Sequence, residues 1–133
     1  MIGFTSAGGD KDFTLLWTNP NPTAIFGQVT IPIDLSQYKY IAINCTYSTT
    51  TASTNTVRSI CIQPVPSQTS GTGISPIVVA FENQSSGTLR SLTVSSSGVT
   101  FYNGYQALSG SGFSPGSSMC IPLKIYGIKG DLK

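Results

Sequence analysis

Apolar residues alternate with polar ones along most of the chain, and no segment shows the 3.6-residue spacing of an amphipathic helix. The clearest example runs from Lys39 to Tyr47, where Ile41, Ile43 and Cys45 occupy every second position. A period of two places such residues on one face of a strand. The pattern predicts eight strands, at Phe13–Thr18, Ile25–Ile33, Lys39–Tyr47, Val57–Gln63, Ile77–Glu82, Thr88–Ser95, Val99–Tyr102 and Cys120–Ile128.

Turn-forming residues separate the predicted strands. Asn19–Pro22 predicts a turn because proline lacks the N–H that a central strand requires. Pro32 indicates that the second strand lies at a sheet edge or contains a bulge, and Asp34 can open the next turn by accepting backbone N–H groups. Three further stretches, rich in Ser, Thr, Gly or Pro, predict loops: Ser48–Thr56, Pro64–Pro76 and Gly110–Ser118.

Many short strands joined by such turns, without helices, predict an all-β sandwich. About eight strands in two sheets would suit a jelly roll. A length of 133 residues fits one domain spanning 1–133. We expect residues 1–12, which precede the first strand, to form a flexible or docking segment.

The chain lacks most of the side chains that enzymes use for catalysis. The chain has no histidine, only twelve charged residues, and thirty-five serines and threonines. Histidine is the commonest general base and metal ligand near neutral pH, and the five carboxylates are too scattered to form a confident catalytic pair. Asp10-Lys11-Asp12 could hold calcium, but solvated turn charges explain it better. We therefore expect neither an enzyme nor a bound metal or cofactor.

Charge and hydropathy restrict the partners. The seven basic residues are spread along the chain instead of forming a basic face, which argues against nucleic acid. No apolar run approaches the roughly 20 residues that a membrane span requires. The odd number of cysteines precludes a complete disulfide framework, and Cys45 and Cys61 fit buried free thiols better than a disulfide. The start lacks the features of a secretory signal, so we expect synthesis in a reducing cytoplasm.

The best candidate for ligand recognition combines two tyrosines with two amides. Tyr102, Asn103, Tyr105 and Gln106 lie together at the predicted end of a strand. Tyrosine rings and amide groups suit sugar rings or protein surfaces. The alternative is that these tyrosines cover one open end of the core. Trp17 fits a core or interface anchor better than a ligand platform.

Three segments together resemble a known family. Leu15–Pro22 is followed by Phe26, then by Ile33-Asp34-Leu35-Ser36-Gln37-Tyr38, and the chain closes with Cys120–Lys129. Their order and spacing resemble a small β-rich domain of tailed-bacteriophage structural proteins, often found at the C-terminal end of tail-fibre or head-fibre chains. These segments are packing and turn motifs, and residues from about 50 to 118 are unmatched.

The resemblance implies a virion component, made in the host cytoplasm, that forms a homotrimer and contacts other virion structural proteins. It further implies contact with the bacterial surface. On the chemistry of their side chains, we expect Tyr102, Asn103, Tyr105 and Gln106 to contact a glycan or protein there. The alternative is a capsid or tail decoration or assembly subunit without receptor binding. A carbohydrate-binding module unrelated to phage also remains open.

Overall fold

The computed structural model describes residues 13–52, 57, 59–66, 77–83, 86–108 and 112–130. These residues contain nine strands and one helical turn, in the order β1 (Phe13–Thr18), β2 (Val29–Pro32), β3 (Tyr40–Ser48), α1 (Thr49–Ala52), β4 (Ser59–Pro64), β5 (Ile77–Asn83), β6 (Ser86–Ser95), β7 (Gly98–Leu108), β8 (Gly112–Pro115) and β9 (Met119–Ile128).

The strands form two antiparallel sheets, which confirms the all-β sandwich. The first sheet has the order β1-β9-β3-β4, and the second has the order β2-β7-β6-β5, with β8 also paired to β7. The chain crosses between the sheets from β1 to β2 and from β2 to β3, as it does in a jelly roll. In contrast, β3–β4 and β5–β6–β7 are antiparallel neighbours in both sequence and space.

The core lies between the inner faces of the two sheets. Ile41, Ile43 and Cys45 of β3 pack in one cluster with Leu92 of β6 and Phe101 of β7. All five side chains are buried, which confirms the predicted inner face of β3. Because one face of each sheet is buried in this way, the strand register is strongly specified.

Aromatic packing and a buried amide hold the end of β1. The ring of Trp17 lies 6.1 Å from those of Phe26 and Phe101, measured between centroids. Asn19 is buried immediately after the strand, and its Oδ1 accepts the N–H of Asn21 at 2.9 Å. The predicted turn and the core role of Trp17 are confirmed.

The interpretations of Pro32 and Asp34 are also confirmed. Among the described strands β2 pairs only with β7, so Pro32 lies on an edge strand, where its missing N–H costs no ladder bond. Asp34 Oδ1 accepts both the N–H and the hydroxyl of Ser36, at 3.0 and 2.6 Å. This bonding closes the turn that leads towards β3.

Two predicted loops contain regular structure instead. The first four residues after β3 form α1, whose Ala52 is buried against Ile121 and Leu123 of β9. Ser48 stabilises this turn, because its Oγ accepts the N–H of Thr50 at 3.2 Å. The prediction of an exposed loop at this point was wrong, because polar threonines supply local hydrogen bonds to the backbone.

The second correction concerns β7 and β8. The strand predicted to end at Tyr102 continues to Leu108, and β8 pairs with it inside the segment predicted to be flexible. A bulge explains the error: Arg90 and Leu92 of β6 pair with Gly104 and Phe101, so that one residue of β6 lies opposite two residues of β7. The extra residue breaks the period of two on which the prediction relied. Residues 1–12, including Asp10-Lys11-Asp12, lie outside the described residues.

Candidate binding surfaces

The interior holds a pair of cysteine thiols that solvent does not reach. Cys120 donates a hydrogen bond to Cys45 across 3.9 Å between the two sulfurs. This bond lowers the pKa of the Cys45 thiol and raises that of Cys120. The space that these residues line with Arg90 and Phe101 has no room for a water molecule. The thiols are free and buried, as predicted for Cys45, and they form part of the core.

Arg90 is the most unusual buried residue, because it is 1% exposed and its hydrogen bonds go to the backbone. Its guanidinium donates at 2.6–3.3 Å to four main-chain carbonyls, those of Tyr102, Ser117, Met119 and Cys120. The ring of Phe26 lies 5.2 Å from its central carbon. Burial lowers the pKa of Arg90, but arginine remains protonated in proteins. The cation therefore ties β6 to β7 and to the start of β9.

A gap in the second sheet surrounds part of the predicted recognition segment. On one side of β7, β2 pairs with Gly98–Phe101 and β8 pairs with Tyr105–Leu108. The residues between these ranges have no strand beside them, although Gly104 accepts a hydrogen bond from the N–H of Gly116 at 2.9 Å. We call this gap the notch, and define it by Gln28, Tyr102, Asn103, Tyr105 and Pro115.

The bulge decides which predicted site residues face the notch. Phe101 and Gly104 both face the core, so the two residues between them, Tyr102 and Asn103, form the outward bend. Asn103 is exposed and Tyr102 is partly buried. Tyr105 follows Gly104 and therefore lies on the opposite face of the strand. The structure thus brings together three of the four predicted residues.

Gln106 has a different environment. Its Nε2 donates to the hydroxyl oxygen of Tyr47 at 3.2 Å, and Tyr47 belongs to β3 in the other sheet. Gln106 therefore bridges the two sheets, on the face of β7 opposite to Tyr105. Its amide is engaged in the sandwich and is not placed beside the tyrosines of the notch.

The outer face of the first sheet carries a row of apolar side chains across all four strands. Leu15 of β1 pairs with Tyr126 of β9, which pairs with Ala42 of β3, which pairs with Ile62 of β4. Ile60 lies next to this row, two residues before Ile62. We call these five residues the outer face.

The outer face is exposed at its two ends and almost uncharged, whereas Ala42 between them is 2% exposed and Tyr126 is partly buried. Leu15, Ile60 and Ile62 are 50%, 43% and 42% exposed. Among the strand residues on this side of the sheet that the structure describes, Lys124 alone is charged. Single exposed apolar residues are ordinary on protein surfaces, but a contiguous apolar patch marks an interaction site.

Other kinds of site find little support in the described part of the chain. Those residues contain no group of three acidic, cysteine or histidine side chains arranged to hold a metal ion. None of their helices is long and apolar enough to cross a membrane. Comparisons with protein-family models, with curated proteins and with solved structures found no match.

Sequence reasoning did not identify the outer face, although one signal was present. Ile60 and Ile62 alternate with Cys61, so β4 carries apolar residues on both of its faces. A strand of that kind either is covered on both sides or exposes one apolar face. Choosing between these outcomes required the sheet order, which places β4 at an edge with nothing from the described residues across its outer side.

Proposed function

We propose that the protein is a non-enzymatic structural component of a tailed-bacteriophage virion, and that it acts by binding. In this proposal it forms a homotrimer through the outer face and contacts a glycan or protein of the host surface through the notch. The virion context rests on the resemblance of the three packing segments. The binding role rests on the surface of the folded domain.

The outer face is the observation that carries the proposal. Leu15, Ile60 and Ile62 are exposed, and their apolar area leaves water only if another surface covers it. Such burial stabilises association by about 25 cal/mol per Å² of apolar area. The occupant that fits is another copy of this chain. Because the face carries little charge, copies can bring it together without burying unpaired charges, which would be costly.

The interior also supports a binding role over a catalytic one. The thiols of Cys45 and Cys120 and the guanidinium of Arg90 lie where a substrate has no room. The surface offers serine, threonine, amide and aromatic side chains. Such groups suit recognition on a rigid sandwich.

The test is the solution mass of the protein, measured by light scattering coupled to size-exclusion chromatography. We expect about three times the 14.0 kDa chain for the wild type, and a monomer for Ile62→Lys, which places a charge within the interface. Thr100→Lys, on the outer side of the other sheet, is the control and should remain trimeric. A monomeric wild type would contradict assembly through this face.

The second candidate is a decorating subunit of the capsid or tail that recognises no receptor. The same apolar face favours it, because a larger virion protein could cover that face in place of another copy. Stable attachment to purified particles, without binding to bacterial cells, would select this candidate.

A further inference from the structure

A groove crosses the end of the sandwich where β2 ends and β3 begins. It consists of two adjoining depressions that are open to solvent, of about 420 and 530 Å³, which share Ser36 and Ser96. Ligand sites in proteins commonly have volumes of roughly 300–1,000 Å³. We call this the end groove, and define it by Asp34, Ser36, Tyr38, Tyr40, Pro64 and Ser96.

Backbone hydrogen bonds hold the walls of the end groove. Leu35, whose side chain is fully buried, donates its N–H to Ser96 at 2.8 Å. On the other side, Val65 donates to the carbonyl of Lys39, also at 2.8 Å, and Lys39 donates to Ile128 at 2.9 Å. The segments that carry the groove are therefore tied to each other and to β9. A ligand would meet walls that are already positioned, which lowers the entropic cost of binding.

The aromatic side chains of the end groove are held in place. The ring of Tyr38 packs so closely on Gly127 that a Cβ there would lie 2.6 Å from it, and the Lys129 ammonium lies 5.8 Å from its centroid. Tyr40 begins β3, where it pairs with Pro64 of β4. A tyrosine and a proline side by side form a stiff apolar wall with a hydroxyl at its edge.

The polar side of the groove supplies acceptors and donors. Both hydrogen bonds from Ser36 go to Oδ1 of Asp34. They hold the pKa of the Asp34 carboxyl below its ordinary value, so the group is charged at neutral pH. The hydroxyl of Ser36 and those of the neighbouring serines can donate or accept. A carboxylate accepts strong hydrogen bonds from the hydroxyls of a ligand.

We propose that the end groove binds a neutral saccharide, with the apolar face of a sugar ring on Tyr40 and Pro64 and its hydroxyls on Asp34 and Ser36. This inference rests on the proposed function, because it names a class of host ligand, and it gives that ligand a site separate from the notch. A phosphate or another anionic ligand fits poorly beside Asp34, since the carboxylate repels it. The two basic groups, Lys39 in the lining and Lys129 beside Tyr38, belong to the depression that Asp34 does not line.

The experiment uses an array of purified bacterial surface oligosaccharides and polysaccharides, both neutral and anionic. The full chain is applied as wild type, Asp34→Asn, Tyr40→Phe and Tyr105→Ala, after thermal unfolding has shown that each variant folds. We expect binding to at least one neutral saccharide. Asp34→Asn should weaken it about tenfold to hundredfold, because a hydrogen bond to a charged group is lost.

The other variants decide between the surfaces. Tyr40→Phe keeps the ring and should retain most of the affinity. Tyr105→Ala tests the notch and should weaken saccharide binding less than Asp34→Asn does. Binding that is lost in Tyr105→Ala but kept in Asp34→Asn would overturn the end groove and leave the proposed function standing. Binding to no saccharide by a protein that is trimeric and binds host cells would overturn the saccharide class alone. A monomer that binds saccharides through Asp34 would overturn the assembly proposal and support the groove.

Discussion

Two regions of the molecule differ from the usual distribution of residues in opposite ways. Arg90 is a charged residue in the interior, and the outer face of the first sheet carries apolar residues at the surface. At Arg90 a charged side chain is 1% exposed, between sheets that are otherwise filled with aliphatic and aromatic groups. On the outer face, Leu15 and Ile62 are 50% and 42% exposed. Buried polar groups and exposed apolar patches are the two informative exceptions to the usual distribution of residues.

The difference lies in how each exception is resolved. The guanidinium of Arg90 is satisfied within the chain, by carbonyls of β7, of the turn before β9 and of the start of β9. One of its acceptors belongs to Cys120, a non-glycine residue with a φ of 51°, in a region that costs free energy for such residues. The outer face finds no such partner among the described residues. The buried charge of Arg90 therefore stabilises the fold itself, whereas the exposed apolar side chains of the outer face need a second molecule to cover them.

Replacing Arg90 should have the largest effect on stability. In Arg90→Met the four carbonyls lose their donor, and each buried acceptor left unsatisfied costs about 1–3 kcal/mol. We expect the free energy of unfolding to fall by about 4 kcal/mol or more, measured by urea denaturation followed through the fluorescence of Trp17. Arg90→Lys keeps the charge but not the planar set of donors, and should lose about half as much. Wild-type stability in Arg90→Met would mean that the carbonyl bonds contribute little.

A matched pair of leucines compares the inner and outer surfaces directly. Leu92 is fully buried in the core, whereas Leu15 lies half exposed on the outer face. Leu92→Ala should lower the free energy of unfolding by about 3 kcal/mol, because it opens a cavity. Leu15→Ala should change it by less than about 0.5 kcal/mol at protein concentrations where the chain is monomeric.

The same two variants then test assembly. At concentrations where the wild type is trimeric, Leu15→Ala should weaken association, and Leu92→Ala should act only through folding. Equal losses of stability in the two monomers would show that the outer face is covered within the chain itself.

The smallest of the three expected effects on stability comes from a glycine in the interior. A Cβ on Gly104 would lie 2.4 Å from the carbonyl oxygen of Met119 and 2.8 Å from a guanidinium nitrogen of Arg90. Gly104→Ala should therefore cost about 1–3 kcal/mol, since a well-packed interior must shift to accept the methyl group.

Gly27→Ala is the control for Gly104→Ala. A Cβ on Gly27 would meet no heavy atom within 4 Å, so this variant should unfold at the same urea concentration as the wild type, within about 0.5 kcal/mol. If both variants were neutral, the packing around Arg90 would be looser than the distances indicate.

Much of the fold was predictable because strand formation depends on local pattern. The alternation of Ile41, Ile43 and Cys45 identified both β3 and its buried face, and Pro32 identified an edge. Where a bulge interrupted the alternation, the prediction ended β7 six residues too early. Where threonines bonded to the backbone, it missed α1. These errors share a cause, since both depend on hydrogen bonds that a hydropathy pattern does not record.

The candidate site was less predictable than the fold. Tyr102, Asn103 and Tyr105 do lie together at the notch, but Gln106 bonds to Tyr47, which is 59 residues away in the chain. The residues of the end groove come from separate turns and strand ends, and Asp34 and Pro64 become neighbours of one groove only when the sheets pack. No local pattern contains that information.

The sequence by itself determined the secondary-structure class, the buried faces of its clearest strands, the free thiols and the shortage of catalytic groups, because each depends on residue type and near neighbours. Only the tertiary structure decided that Arg90 lies inside, that Leu15 and Ile62 lie on the same face of one sheet, and that two tyrosines, an aspartate and serines line a groove. Strand order and register, which bring distant residues together, decide those features. Each of them depends on contacts made across the two sheets or between strands far apart in the chain.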